Sequence, residues 1–277
     1  MSYLVIQGLE VETPDLEAIA KLSGASRIEN IDPNAFRLHD YKTQEGVAAY
    51  CAKAKLDFAF VPQPRKLSEF GLVAMDMDST LITIECIDEI ADLRGIRPQV
   101  AAITASAMRG DIDYRESLRR RLELLAGLEE SALQRVYDER LRLSPGTERM
   151  LERLRSLAIK TLLVSSGFSF FTERLKIRLS LDYTLSNTLE MRSGKLTGKV
   201  LGRTVDAKIK AAKLRELRDA LGLSRDQIIA FGDGANDLAM MAEAGVSIAY
   251  HAKPVVREKS TYCFDYVGLD GLLNLYT

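Results

Sequence analysis

Three features of this 277-residue sequence predict an α/β fold: a mostly parallel central sheet, a helical cap, and a small α+β unit ahead of it. Short apolar runs alternate with helix-length amphipathic stretches from residue 72 to residue 250, as a parallel sheet covered on both faces requires. One crossover, at about residues 85–143, is much longer than a single helix needs. The stretch Val-Pro-Gln-Pro-Arg-Lys at residues 61–66 closes a first region, 1–66, and separates it from residues 67–277.

In the first region, strand-like residues 3–11 precede a helix at 14–22, where Pro14 suits a first helical turn because its missing N–H costs little there. Strands follow at 27–31 and 35–39, then a helix at 45–54 and a strand at 56–61. A βαββαβ order implies a ferredoxin-like unit, the architecture of amino-acid-sensing domains of the ACT type. Architecture alone carries no function, so a regulatory role and a packing or dimerisation role both stand for residues 1–66.

In the second region, apolar runs at 72–75, 161–164, 228–231 and 246–250 read as strands, and 145–157, 207–221 and 237–244 as helices. The insertion at 85–143 is placed as a cap over the carboxyl ends of the strands. Residues 185–205 alternate around Ser193-Gly194 and predict a β-hairpin.

Composition narrows the function classes. A net charge of -1 offers no basic excess for nucleic acid or anionic lipid, and no apolar run reaches about 18 residues, so no membrane span is expected. The first ten residues lack the basic flank of a signal peptide. Cys51, Cys86 and Cys263 are odd in number and without metal-ligand spacing, which reads as reduced, buried thiols in a cytoplasmic protein. His39 and His251 read as structural or solvent-facing.

The chemistry concentrates at strand ends. Asp76 and Asp78 directly follow the run Leu-Val-Ala-Met at 72–75, where parallel sheets bind their ligands. Carboxylates so close together repel unless a cation or a shared proton intervenes. A second acidic group, Gly232-Asp233-Gly234-Ala235-Asn236-Asp237, follows the run at 228–231. Oxygen ligands from two strand ends, with neither His nor Cys in either motif, specify a hard cation, best fitted by magnesium. A single Asp-rich strand end could be a turn or a helix cap; two, each after an apolar strand, are hard to read that way. Ser165, Ser166 and Gly167 follow a third strand and offer a hydroxyl and backbone N–H groups to phosphate. Lys210, on the helix before the strand at 228–231, is a candidate cation, with Lys208 and Lys213 as rivals.

Asp76-Met77-Asp78-Ser79-Thr80, then Ser165, Lys210 and Gly232-Asp233 to Asp237, in that order, resemble the haloacid-dehalogenase superfamily of phosphohydrolases. Glu85, residues 114–121 (Tyr-Arg-Glu-Ser-Leu-Arg-Arg-Arg) and the loop 232–237 are similar to the branch that hydrolyses O-phosphoserine. The resemblance covers about residue 70 to the end and implies a Rossmann-like core with the cap inserted after its first strand. It makes Asp76 the nucleophile and Asp78 the general acid/base. Magnesium would be held by the Asp76 carboxylate, the Asp78 carbonyl and Asp233, with Asp237 in support. Ser165, Ser166 and Lys210 would bind the phosphoryl group, Asn236 would orient it, and Glu85 and Arg121 would read an ammonium and a carboxylate. The implied partner is small-molecule O-phosphoserine, and a homodimer is possible.

The sequence departs from the family where Ser166 replaces a common glycine, Tyr114 a frequent phenylalanine and Met77 a frequent aromatic. Two other readings follow: a phosphatase or phosphotransferase for another small phosphate, such as phosphothreonine or homoserine phosphate, and a catalytically retired amino-acid-binding protein. The retained Asp76, Asp78 and Asp233 argue against the second.

Overall fold

The computed structural model describes residues 2–276. The chain opens with β1 (Tyr3–Gln7), α1 (Thr13–Ser23), β2 (Arg27–Asp32), β3 (Ala35–His39), α2 (Val47–Ala54) and β4 (Asp57–Val61). These strands form a four-stranded sheet in the order β2-β3-β1-β4, antiparallel throughout, which is the ferredoxin-like arrangement the βαββαβ pattern predicts. Alternation along β1 sends Leu4 and Ile6 to one face, under Ile19 and Leu16 of α1 and Val47 and Cys51 of α2. Tyr3 and Val5 go to the other face and join the main core of the chain. The small sheet is therefore covered on both sides, by its own helices and by the rest of the molecule.

The second sheet has seven strands in the order β11-β10-β9-β5-β6-β7-β8. Its members are β5 (Leu72–Met75), β6 (Lys160–Phe168), β7 (Tyr183–Arg192), β8 (Lys195–Leu201), β9 (Ile228–Gly232), β10 (Val246–Tyr250) and β11 (Tyr262–Phe264). Every pairing is parallel except β7 with β8. β5 is central and wholly buried between β6 and β9, which is why it reads as an uninterrupted apolar run.

Between β5 and β6 the chain leaves the sheet for α3 (Cys86–Leu93), α4 (Arg97–Met108), α5 (Tyr114–Leu124) and α6 (Glu130–Arg135), then returns through α7 (Thr147–Ser156). An antiparallel bridge of Ile82 with Leu143 ties the two ends of this insertion together. The cap rests on the β7–β8 hairpin, where the Gly127 N–H donates to the Leu196 carbonyl and the Leu196 N–H to the Leu128 carbonyl. Among the described residues no helix is long and apolar enough to cross a membrane.

The structure departs from the expected elements in three places. The segment at 185–205 is a hairpin, and its first strand also pairs with β6 as part of the main sheet. Helix α8 (Ser169–Leu179) and the edge strand β11 carry too mixed a polarity to stand out as periodic segments. The helix expected at 237–244 is only the single turn α10 (Leu238–Met241). Cys51 and Cys86 are free and buried, whereas Cys263 is partly exposed at the sheet edge. His39 is structural, its Nε2 lying 2.6 Å from Glu29 Oε2.

Candidate active site

The parallel register aligns three strand ends. Met75 of β5 faces Phe231 of β9 on one side and Leu163 of β6 on the other, so Asp76, Asp233 and Ser165 emerge together. Beyond Met75 the chain turns sharply, with the Asp76 carbonyl accepting from the Leu81 N–H and Ser79 held at φ +56. On β6 the ladder breaks between the pairs Val164–Leu185 and Phe168–Asn187, so Ser165, Ser166 and Gly167 stand opposite Ser186 alone. The bulge lifts these three residues out of regular pairing where β6 reaches the site.

Together with the cap, these ends enclose a cavity of about 550 Å³. Asp76, Asp78, Glu85, Arg121, Ser165, Ser166, Asp233 and Asn236 all line it. Lys210 and Asp237, also singled out in the sequence, lie behind it, completely buried. Lys210 sits on the inward stripe of α9 (Ala207–Ala220) with Ala211, Leu214 and Leu217. Its Nζ lies 2.8 Å from Asp76 Oδ1 and 2.8 Å from Asp237 Oδ1. Lys208 is exposed and Lys213 pairs with Glu216 at 2.7 Å, so neither rival reaches the site. Of the arginine run, Arg119 and Arg120 pair with Glu116 on the outer face, and only Arg121 turns to the cavity.

Asp237 is saturated by protein: its Oδ1 receives Lys210 Nζ, and its Oδ2 receives the Asp233 and Gly234 N–H groups at 3.2 and 3.1 Å. Gly232 makes that approach possible, since a Cβ there would lie 2.5 Å from the Asp237 Cβ. Asp78 is fixed by the Cys86 N–H on Oδ1 at 2.8 Å and faces the Ser165 hydroxyl at 3.4 Å. Gly167 is equally constrained, because a side chain would place its Cβ 2.7 Å from Asp78 Oδ2.

Burial raises the Asp76 carboxyl well above its usual range, the Asp237 charge adds to this, and Lys210 opposes it. Burial, then the charge of Glu85, pushes Asp78 up to about 7. Burial and Asp237 push Asp233 up to about 7. Burial works against the Lys210 charge, yet Asp237 and Asp76 hold it protonated and raise its pKa. Glu85 is open to solvent at the mouth but flanked by protein elsewhere; this partial desolvation raises its carboxyl against the Ser79 hydroxyl, which donates to it at 2.7 Å.

Carboxyl oxygens of Asp76, Asp233 and Asp237 lie within 4.8 Å of one another. All are hard acceptors, and the surplus of carboxylates over the single buried lysine leaves negative charge that a divalent cation would offset. The donor set therefore fits magnesium.

Lys253 was not anticipated. It lines the cavity after β10, and its charge lowers the carboxyl pKa of both Glu85 and Asp233. The strand-end rule that singled out the other three loops applies equally to β10 and could have found it.

A mostly parallel sheet with paired carboxylates at its central strand ends, a buried lysine and an inserted helical cap defines a class, and the sequence comparison agrees. Residues 73–242 match the family model described as haloacid dehalogenase-like hydrolase, and the chain belongs to that family. Residues 4–45 match a second model, described as a domain of unknown function (DUF4072). Among relatives, a phosphoserine phosphatase of Polaromonas sp. is 53% identical over 215 residues, 76% of this chain and 91% of its own. The crystal structure of a probable phosphoserine phosphatase from Vibrio cholerae superposes with a TM-score of 0.86 at 37% identity, covering 99% of this chain and 85% of the other. A phosphoserine phosphatase structure described as a phospho-aspartyl intermediate analogue superposes at 0.70 with 34% identity, covering 77% of this chain and all of the other.

Proposed function

We propose that the chain hydrolyses O-phosphoserine to serine and phosphate through a phosphorylated Asp76, the final step of serine biosynthesis, with magnesium as cofactor. The observation that carries this reading is the placement of Glu85 and Arg121 in the same cavity as Asp76 and Asp78. An amino-acid phosphate brings one ammonium and one carboxylate, and one acid and one arginine suffice to recognise them.

The phosphate of the substrate is close to a dianion at neutral pH and repels an approaching carboxylate. Held by the Asp76 carboxylate, the Asp78 carbonyl and Asp233, a divalent cation would neutralise part of that charge when bound. Both donors to Asp76 converge on Oδ1, which leaves Oδ2 as the attacking oxygen. Two of the three Lys210 protons serve Asp76 and Asp237, and the third would serve a phosphoryl oxygen brought beside the Ser165 hydroxyl in front of it. Oδ2 forms a bond to phosphorus as the bond from phosphorus to the serine oxygen breaks. Asp78 gives its proton to the departing oxygen, which would otherwise leave as a strongly basic alkoxide. As a carboxylate, Asp78 then takes a proton from water; the water oxygen attacks phosphorus, and the acyl phosphate bond breaks to restore Asp76. Splitting the reaction in two lowers the barrier of a very slow hydrolysis.

For residues 1–66 the reading is a packing unit, supported by the burial of the second face of their sheet in the main core.

A panel of small phosphates tests the function. With magnesium, turnover of O-phosphoserine should exceed that of phosphothreonine and of homoserine phosphate, and excess chelator should abolish it until magnesium is restored. Full activity under chelation contradicts the metal assignment, and an equal preference across the panel contradicts the substrate.

A further inference from the structure

We infer that Tyr114 is a positioning residue that latches the cap to the phosphate-binding bulge; the inference deepens, and rests on, the function proposed above. Its hydroxyl donates to the Ser166 carbonyl at 3.1 Å, across the boundary between cap and sheet. The same carbonyl accepts the Asn187 Nδ2 at 2.7 Å, while Asn187 Oδ1 accepts the Val205 N–H at 2.8 Å. Ser166 therefore has two supports of different origin. Asn187 is 2% exposed on β7 and belongs to the rigid sheet, whereas Tyr114 opens α5 and belongs to the cap.

The position of Tyr114 on its helix gives the latch a consequence. Arg121 is seven residues along α5, two turns away, so both side chains project to the same face and both line the cavity. Fastening Tyr114 to Ser166 sets where Arg121 stands relative to Ser165 and Gly167. The distance between a substrate's carboxylate and its phosphoryl group is thereby matched by a hydrogen bond made within the protein. Arg115, next in sequence, pairs at 2.8 Å with Asp206, the residue that caps α9. That pair is exposed and contributes little alone. The Tyr114 hydroxyl lies in a largely buried setting, which raises its pKa and keeps it a neutral donor. A phenylalanine fills the same space without the donor. The bulge would then keep its Asn187 support while the cap loses its own.

The test is Tyr114→Phe in the full chain. Loss of one neutral hydrogen bond should raise KM for O-phosphoserine about two- to tenfold, with kcat changed by less than about twofold. The rise should be smaller for 4-nitrophenyl phosphate, which has no carboxylate for Arg121. Amide hydrogen exchange of the free protein supplies a readout independent of substrate. Exchange in α5 should quicken in the variant, while exchange at Asn187 and along β7 stays as in the unmodified protein. Unchanged exchange in α5 overturns the latch. Faster exchange with unchanged KM overturns its role in positioning Arg121, as does an equal loss on both substrates. If the unmodified chain does not turn over O-phosphoserine, the function proposed above fails, and the exchange comparison still decides whether the latch exists.

Discussion

Buried charge is handled in opposite ways at the two ends of this molecule. Where the N-terminal sheet meets the rest of the chain, Asp57 is 3% exposed and its carboxylate accepts the N–H groups of Asp265, Tyr266 and Val267 at 2.8, 2.9 and 2.9 Å. Arg37, close by on β3, gives its Nη2 to the carbonyls of Asn274 and Tyr276. Peptide groups from one short C-terminal stretch answer the Asp57 carboxylate and the Nη2 end of the Arg37 guanidinium. At the carboxyl ends of β5 and β9, Asp76 is 5% exposed, but its partner is another charge, Lys210, shared with Asp237. One oxygen of Asp76 is left without a donor, and Asp233 and Asp78 crowd the same space. A charge satisfied by backbone is spent on holding structure. One left short of partners is available to a metal ion and a phosphoryl group, and this distinction separates the packing surface from the reactive one.

Four substitutions probe that contrast, in descending order of effect. Asp76→Asn keeps the shape of the site and an oxygen for Lys210 while removing the proposed nucleophile. Turnover should fall on the order of 10⁴-fold or more, and labelled substrate should leave no phosphate on the protein, with the folded state retained in urea titrations. A residual rate within a hundredfold of the original, or a label on a serine, excludes Asp76 as the group attacked.

Asp57→Ala is the mirror case. It strands three N–H donors, that of Val267 buried and those of Asp265 and Tyr266 partly so, and should cost about 2–4 kcal/mol of stability, seen as a lower urea midpoint, whereas kcat/KM of the folded fraction should stay within about twofold. If activity collapses while stability holds, the two regions are coupled and the packing reading of residues 1–66 is wrong.

The smallest effect belongs to the proposed recognition pair. Glu85 and Arg121 stand at the cavity wall with some access to solvent, so each loss is moderated by screening. Glu85→Ala and Arg121→Ala should each reduce kcat/KM on O-phosphoserine about 10- to 100-fold. An aryl phosphate, lacking both groups, should suffer less. Parallel losses on both substrates would assign the two residues to cap closure and remove the support for an amino-acid phosphate.

Much of this arrangement is legible in the sequence because it is local. β5 and β9 follow from unbroken apolar runs, the ferredoxin-like unit from the order and length of its segments, and the acidic loops from their positions right after strands. The choice of Lys210 over Lys208 is less local. Both lie on α9, two residues apart and therefore on different sides of the helix, and only packing against β6 and α10 decides which side is inward. The same holds for Arg119, Arg120 and Arg121, of which just one reaches the cavity. Lys253 carries only the signal of its place after β10; its meaning comes from Glu85 and Asp233, whose carboxyls its charge reaches. Helix α8 follows β6 directly after Phe168 and has little amphipathic order, so Gly167 is the one local trace of the strand-to-helix change.

By itself the sequence determined most of the backbone segments that become strands and helices, α8 and β11 excepted, and which carboxylates leave the sheet at its carboxyl edge. Both depend on side-chain periodicity and chain direction within a few residues. Only the tertiary structure decided that Lys210 sits behind Asp76, that the β6 ladder opens at Ser165–Gly167, and that Tyr114 meets the Ser166 carbonyl. Each of those joins residues 52 or more positions apart, or a strand to its neighbour's register. Their distances are set by how the elements pack, a long-range condition that no local run of residues encodes.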